Sequence, residues 1–500
     1  MGVIKRQGIK QSIIRYLGIA IGFLSTLFVY PLVLEEIGLV RFLQNTAWLL
    51  VPFALLGSHN IAIRFFPMFR DSKAGHNGFL PLMLLWGLGG FLLTSLILYL
   101  SYDQVVLQFS DKPSLYQDYL PYTLVFAFFI VFSQLLTNYI SNFQRIVVPA
   151  LFNELFIKLA LPALILGYYF GWISLDEVIW YFLAAYLLVL VALLIYLYFL
   201  GEGHFFSPIK PISQTIRKEL SSFALYNILG SWGYILANRI DIFMLGLLLP
   251  GAGSLKSIGI YSINFFVSEV IDAPRKALFN ITSPIVAQAF KEDDLTKVQD
   301  LYQRSALNQL AIGWLFFLGI WANLDDLFAL MPNGDEVALG KYVVLFLGLG
   351  KIFDMATGIN GIIIQHSPYY RFNLVAVAIM AVVNIGNNWW MIPAYDILGA
   401  SIATLVSIFL FNLIKLGYIY QKMKMHPFNW QTMGILLAGL LIYGSSLLLP
   451  SVGESILAIL LDMIFRSIWI GGLYVAAIYY FGLSEDINDL IRDSLQKIRR

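Results

Sequence analysis

The stretch SLDEVIWYFLAAYLLVLVALLIYLYFL, residues 174–200, followed by GEGHFFSPIKPISQTIRK, residues 201–218, decides the fold class. Between Glu177 and Glu202 no residue carries a charge. A helix needs about 20 mostly apolar residues to cross the hydrocarbon core of a bilayer, and this run supplies them. Asp176 and Glu177 precede it, while Lys210, Arg217 and Lys218 follow it. Lys and Arg collect on the cytoplasmic side of membrane spans, so the run crosses from outside to inside. It is too long for a membrane strand and shows no period-two alternation.

The pattern repeats in both directions. Further apolar runs predict helices over 12–33, 40–65, 79–101, 119–141, 148–170, 178–200, 220–249, 258–290, 301–323, 338–365, 371–391, 397–421, 429–449 and 456–481. The second, seventh, eighth and tenth are long for one span and are expected to tilt or to extend past the bilayer. The expected fold is an all-α polytopic membrane protein of about 14 transmembrane helices. The odd gaps and their borders hold Lys112, Lys256 and Lys341 against about 13 acids, among them Glu35, Glu36, Asp325, Asp326, Asp335 and Glu336. The even gaps and the two ends hold about 21 of the 32 Lys and Arg, so both termini are expected in the cytoplasm. Trp172, Trp180, Trp389 and Trp390 fall at the expected outer interface, where an aromatic belt belongs.

Composition agrees. Hydrophobic residues make up 59% of the chain and charged residues 12%, with mean hydropathy +0.76. A soluble domain carries roughly a quarter charged residues, so the length builds spans rather than extra soluble domains. The net charge of +2 says little; its distribution says more. The chain has no cysteine, which excludes disulfides, thiolate metal sites and a Cys nucleophile. Lys5, Arg6 and Lys10 precede the first run without an A-x-A-like site after it, which reads as a retained first helix.

The gap over 201–219 contains Gly201, Gly203, Pro208 and Pro211 and divides six spans from eight. A weak repeat marks it as a lobe boundary. Leu17-Gly18 lies in the first span and Leu229-Gly230 in the seventh; Ile37-Gly38 opens the second span and Ile258-Gly259 the eighth. Leu398-Gly399 opens the twelfth in the same way. Symmetry of this kind serves alternating access, with the site between the lobes near the midplane. The expected organisation is an N-lobe over 1–206, a C-lobe over 207–425 and two further helices over 426–483. The segment 484–500, with Ile487, Leu490, Ile491, Leu495 and Ile498 among charges, reads either as a cytoplasmic amphipathic helix or as a solvated tail.

Enzyme signatures are lacking. His59, His76, His204, His366 and His426 form no H-x-x-x-H pair, and no catalytic or metal-binding set stands out. Gly348-Leu349-Gly350-Lys351 lacks the upstream Gly of a phosphate loop, and Ile352 stands where Ser or Thr belongs. There is no G-x-S-x-G, no segment large enough for a nucleotide-binding domain, and nothing that calls for a cofactor or nucleic acid.

What remains is charge inside the predicted spans. Each such group costs about 2.5–3.5 kcal/mol at a helix centre on insertion scales, so it usually faces a cavity or a partner. Glu154 and Lys158 are spaced i,i+4 and Lys351 and Asp354 i,i+3, so each pair is able to neutralise itself. Lys415 sits near the inner end of its helix, within snorkelling reach. Glu269, Asp272 and Lys276 share one face, Arg275 lies beside it, and Pro274 is expected to interrupt the helix among them. Arg239 and Asp241 point to different sides, Arg239 toward a cavity and Asp241 as a structural lock. Arg15, Arg41, Arg64 and Arg371 add cations on the first, second and eleventh spans, near His59 and Asn60 in the case of Arg64. Converging, Arg15, Arg41, Arg64, Arg239, Arg275, Lys276 and Arg371 make a cationic cavity, with Asp241, Glu269, Asp272, Lys351 and Asp354 as structural or coupling charges. Arg suits phosphate because its planar fork binds bidentately, so the cavity implies an anionic substrate. Asn384, Asn387 and Asn388 are able to bind sugar or simply to bond between helices.

Three stretches carry a family resemblance: NRIDIFMLG over 238–246, PAYDILGASIAT over 393–404, and Ser283-Pro284-Ile285-Val286-Ala287 through Leu301-Tyr302. With the span count, they resemble the polysaccharide and O-antigen repeat-unit flippases of the multidrug/oligosaccharidyl-lipid/polysaccharide (MOP) superfamily. In that family Gly usually stands where this chain has Asp396. The resemblance implies a flippase that moves an undecaprenyl-pyrophosphate-linked oligosaccharide by alternating access, for surface polysaccharide or lipopolysaccharide. It implies a multi-pass protein of the bacterial cytoplasmic membrane, with the lipid bilayer, a polyprenyl-pyrophosphate-linked oligosaccharide and a polysaccharide polymerase as partners. The lipid II flippases of the superfamily use cavity arginines, a role that Arg15, Arg41, Arg64 and Arg275 resemble without a position-by-position match. The competing reading is an ion-coupled multidrug exporter; such exporters usually have twelve helices and an acidic cavity.

Overall fold

The capping signals in the sequence are where the helices begin. Ser174 accepts from the Glu177 N–H and Glu177 returns a bond to the Ser174 N–H at 2.7 Å, a capping box opening the helix that decides the fold class. Asn429 and Thr432 form a second box, and Asp294 caps its own helix through the Lys297 N–H. The structure, a computed structural model, describes residues 2–109, 114–211, 213–251 and 253–498. The side chains of His59, Asn60, Asn238 and Lys276 are among those outside the description.

In chain order the main helices are α1 (Gly2–Phe28), α2 (Leu34–Leu55), α3 (Ser58–Arg64), α4 (Phe79–Leu100), α5 (Tyr122–Ser141), α6 (Ile157–Tyr169), α7 (Leu175–Phe199) and α8 (Gln214–Leu248). Then come α9 (Ser254–Lys291), α10 (Leu295–Ala322), α11 (Lys341–Ala356), α12 (Asn360–His366), α13 (Arg371–Met423), α14 (Trp430–Ser446), α15 (Ile456–Tyr480) and α16 (Glu485–Ile498). Among the described residues, nine helical segments are long and apolar enough to cross a membrane. The pair α11 and α12, bent by 47°, would make a tenth. The protein is thus an all-helical polytopic membrane protein.

Two local expectations need correcting. The helix expected over 40–65 ends at Leu55, where Leu56 (φ 46°) and Gly57 (φ 73°) turn left-handed before α3. A Cβ on Gly57 would sit 2.7 Å from the Ala224 carbonyl, so only Gly fits this turn. Pro274 does not break its helix: α9 runs through both Pro274 and Pro284. The eleventh and twelfth expected helices are both present: α13 joins them across a kink at Asp396 (φ 55°, ψ −135°), which lies between 371–391 and 397–421.

Asp396 occupies a backbone region that favours Gly, and its Oδ1 accepts from the adjacent Ile397 N–H at 2.6 Å. Asp396→Gly is therefore expected to stabilise the protein by about 1 kcal/mol through relief of that strain. The readout is a higher melting temperature in detergent; an unchanged or lower melt argues against strain here.

The chain forms two compact units, Met1–Ser262 and Ile263–Arg500. In the first, Phe65, Phe66, Phe79, Leu136, Tyr139 and Leu193 build one apolar cluster from α3, α4, α5 and α7. Helix α8 packs along α2: a Cβ on Gly246 would lie 2.4 Å from the Phe42 ring, and Phe42 also stacks near Phe243. The opening of α9 packs on the opening of α2 through two glycines. A Cβ on Gly38 would meet the Leu255 carbonyl oxygen at 1.9 Å, and one on Gly259 would meet the Leu34 carbonyl oxygen at 2.0 Å. Each partner lies four residues before the other glycine, so the contact is reciprocal. These contacts carry the first unit past residue 206.

In the second unit, Trp314 stacks on Phe317 and donates to the Leu436 carbonyl at 3.3 Å. Gly439 of α14 leaves room for that indole, which would otherwise lie 2.2 Å from a Cβ. Helix α16 is held by Asn308, which donates to Asp486 at 2.6 Å, and by Arg304, 3.6 Å from the same carboxylate. Ile487 packs beside the cluster of Ile435, Ile470, Tyr474 and Leu483.

Candidate functional site

Helix α2 presents a polar stripe in an otherwise apolar span. Arg41, Gln44, Asn45 and Trp48 fall at i, i+3, i+4 and i+7, one face of a helix. Arg41 Nη1 donates to Gln44 Oε1 at 2.9 Å, and Gln44 Nε2 donates to the Tyr186 hydroxyl of α7 at 2.7 Å. From α8, Arg239 Nη1 donates to Asn45 Oδ1 at 2.8 Å, with its guanidinium 4.9 Å from the Trp48 ring centroid. The Arg41 guanidinium lies 5.1 Å from the Tyr30 ring centroid. Both arginines are close enough to the buried Tyr186 hydroxyl to interact with it electrostatically. The Gln44 oxygen and the Tyr30 ring orient the Arg41 guanidinium without cancelling its charge.

Depth follows from the helix rise. Arg41 to Asn45 lie about 10–16 Å from the start of α2, and Arg239 lies about 14 Å from the end of α8. Two half-buried arginines therefore share one level, about 10–16 Å in from the start of α2 and the end of α8. Asp241, two residues on, is buried and accepts from the Tyr261 hydroxyl at 2.8 Å.

The other expected cations of this unit lie elsewhere. Arg64 ends α3, pairs with Glu219 at 3.3 Å and covers the Phe223 ring at 4.4 Å. Arg15 is exposed on α1 and makes no ion pair among the described residues.

The second unit holds a compensated network. Arg275 of α9 pairs with Asp272 on its own helix and with Asp354 of α11 at 2.9 Å. Asp354 Oδ1 accepts from Asn412 at 2.9 Å, and Asn412 Oδ1 accepts from Thr357 at 2.9 Å and Asn360 at 2.7 Å. Lys351 pairs with Glu269 of α9, not with Asp354, its i,i+3 neighbour. Lys415 does not snorkel. It is buried, with Nζ 3.7 Å from the Phe411 ring centroid and Asp354 as the nearby counter-charge. Arg371 opens α13, exposed, with its guanidinium 5.9 Å from the Tyr370 ring centroid. Lys276 lies outside the described side chains.

The Asp354 carboxylate thus anchors two donors from two other helices. Asp354→Ala takes one acceptor from each, leaving Arg275 with Asp272 and Asn412 with the Ile408 carbonyl, and is expected to cost about 1–2 kcal/mol. Asp354→Asn keeps one acceptor and should recover part of that loss. Detergent melting temperatures check this; an Ala variant as stable as wild type would show that the network contributes little.

One further group has a metal-like donor set. His76, Glu202 and His204 bring ligand atoms within 4.8 Å of one another. His76 Nε2 lies 2.7 Å from Glu202 Oε2, and the Asp71 N–H donates to His76 Nδ1 at 3.2 Å. That second bond assigns the imidazole proton to Nε2, facing Glu202. A metal-ligating His usually donates from its other nitrogen, so this second shell suits a hydrogen-bonded clasp better than a metal. The clasp depends on a left-handed turn, Gly75 to Gly78 with φ 55°, 51°, 55° and 74°.

No family model matches the sequence. Over 239 residues the chain is 21% identical to the "Probable low-salt glycan biosynthesis flippase Agl15" of Haloferax volcanii. That match covers 47% of this chain and 49% of that protein, so the chain spans about half the length of this curated relative. Among solved structures it is similar to the lipid II flippase MurJ in an inward closed conformation. The TM-score is 0.68 at 13% identity, covering 97% of this chain and 99% of that one. It is also similar to an inward-facing multidrug resistance MATE family transporter of the MOP superfamily, with a TM-score of 0.62 at 14% identity over 85% of this chain and 95% of that one. At these identities the likeness is one of fold: the chain folds like the lipid II flippase and the MATE transporter.

Proposed function

We propose that this chain flips a lipid-linked glycan across a membrane. One observation carries the reading: Arg41 and Arg239 are held at mid-span depth by amides and aromatic rings. Charge is expensive at that depth and is retained where a ligand needs it. A guanidinium so placed suits a phosphate passing through the hydrocarbon level. The substrate we propose is an undecaprenyl-pyrophosphate-linked oligosaccharide, exported for surface polysaccharide or lipopolysaccharide. The distant likeness to a glycan biosynthesis flippase and the near full-length likeness in fold to a lipid II flippase support it.

We propose fourteen crossings. Splitting α13 at Asp396 and adding α8, α9 and α14 to the ten candidate spans gives that number. The charge alternation then sets both termini in the cytoplasm. Lobes over 1–206 and 207–425, related by a pseudo-two-fold axis, would place the Gly38–Leu255 and Gly259–Leu34 contacts in equivalent positions, which their reciprocity supports.

A MATE-type exporter shares the fold, so substrate class is the point to test. Purified protein in liposomes should move a fluorescent polyprenyl-pyrophosphate glycan from one leaflet to the other. No movement of any such lipid, alongside ion-driven efflux of a small cation, would overturn the proposal in favour of an exporter.

A further inference from the structure

A cleft of about 400 Å³ opens where α4 begins, between it and the segment leading into α8. Leu82, Trp86 and Leu220 form its apolar wall; Ile209, Lys210 and Arg217 form its rim. Leu82 and Trp86 are about 4 and 10 Å into α4 by helix rise, just inside the membrane. Lys210 and Arg217 stand at the helix ends, where headgroups lie. Both are exposed, and neither side chain makes an ion pair among the described residues. Glu219, the nearest acid along the chain, is engaged by Arg64 at 3.3 Å. The Trp86 indole nitrogen is buried with no acceptor among the described residues.

The cleft is rigidly built. The Lys210 N–H donates to the Asn77 carbonyl at 3.2 Å. A Cβ on Gly78 would lie 2.6 Å from Ile209 Cα, and one on Gly75 would lie 2.0 Å from Ser207 Oγ. The left-handed turn therefore seats directly against 207–210, and the His76–Glu202 clasp holds the start of the same segment. The turn's strained backbone at His76 and Asn77 is maintained by these contacts.

We propose that this cleft binds a single anionic glycerophospholipid of the leaflet on the cation-rich face. The phosphate sits between Lys210 and Arg217, and the first carbons of one acyl chain descend along Leu82, Trp86 and Leu220. About 400 Å³ accommodates a drug-sized group. That suffices for a glycerophosphate head and the start of a chain, but not for an oligosaccharide on a pyrophosphate. The site is separate from Arg41 and Arg239 and acts on the segment joining α7 to α8.

Native mass spectrometry of the purified full-length protein, titrated with phosphatidylglycerol and phosphatidylcholine, tests the proposal. Phosphatidylglycerol should be retained preferentially. Lys210→Gln with Arg217→Gln should lower its binding on the order of tenfold, from the attraction of two cations to a headgroup, with phosphatidylcholine binding and the melting temperature unchanged. Trp86→Ala should weaken the same lipid without changing its salt dependence. Equal phosphatidylglycerol binding by the double variant and wild type would overturn the assignment. Full displacement of the lipid by millimolar inorganic phosphate would also overturn it, by showing a site for a free anion. Flipping is measured separately in phosphatidylcholine liposomes. There the double variant should still move lipid-linked glycan; loss of flipping would assign the two cations to the substrate and overturn the proposal.

Discussion

Arg239→Ala protein is expected to fold, to reach the membrane, and to move a pyrophosphate-linked glycan at least tenfold more slowly than wild type. A hydrogen bond to a charged group is worth about 1.5–3 kcal/mol, which is on the order of 10–100-fold in binding of the phosphate. Arg41→Ala should behave alike, because its guanidinium hangs on the same stripe of α2. Arg239→Lys separates charge from shape. It keeps the cation but loses the planar fork and the stacking on Trp48, so an intermediate rate is expected. Asn45→Ala removes the oxygen that aims Arg239 and should raise the substrate concentration needed for half-maximal flipping more than it lowers the maximal rate. Arg275→Ala provides the contrast. That arginine is already clamped by Asp272 and Asp354, so its loss should lower the melting temperature rather than change substrate affinity. Wild-type flipping by both Arg41→Ala and Arg239→Ala would remove the basis for the proposed function.

The helices were legible because hydropathy and charge gaps act locally: most predicted spans fall on one helix, while those over 40–65 and 338–365 are broken at Leu56–Gly57 and between α11 and α12. The partners of the charges were legible only within one helix, where Lys158 pairs with Glu154 at 3.3 Å as their spacing implies. Lys351 bonds to Glu269 and Arg275 to Asp354, each about 80 residues away along the chain. Helical spacing suggested Lys351 with Asp354 instead. Spacing identifies what is near on one helix, as for Arg275 with Asp272; the partners from other helices, Glu269 and Asp354, follow only from the fold. The stripe on α2 shows a different gap. Arg41 stood out as a charge, but Gln44, Asn45 and Trp48 needed its i, i+3, i+4, i+7 register to be seen as its companions. The interruption expected at Pro274 did not occur, whereas Leu56, a residue with no turn preference, adopts φ 46° because Gly57 follows it. Nothing in the sequence marks His76 as the centre of a left-handed turn, since that conformation is imposed by contacts with 202–210.

Gly38 and Gly259 should be the least replaceable glycines of the first unit. Helices in lipid gain nothing from a hydrophobic drive between them, so close backbone approach through small residues holds them together. At both positions an added Cβ would fall about 2 Å from a backbone carbonyl oxygen, a contact no side-chain rotation relieves. Gly38→Ala or Gly259→Ala is expected to cost about 3 kcal/mol, the upper end of overpacking costs, seen as a large fall in melting temperature. Gly38→Leu or Gly259→Leu should yield no monodisperse protein. The reciprocal geometry adds a sharper expectation. Either substitution must move the opening of α2 away from that of α9, and the same movement makes room at the other glycine. The double alanine variant should therefore be more stable than the sum of the single losses implies, with a coupling of about 1 kcal/mol or more, as for residues that share one contact. Additive losses would mean that the two glycines relax independently, and wild-type stability in both single variants would mean that the helices do not approach this closely.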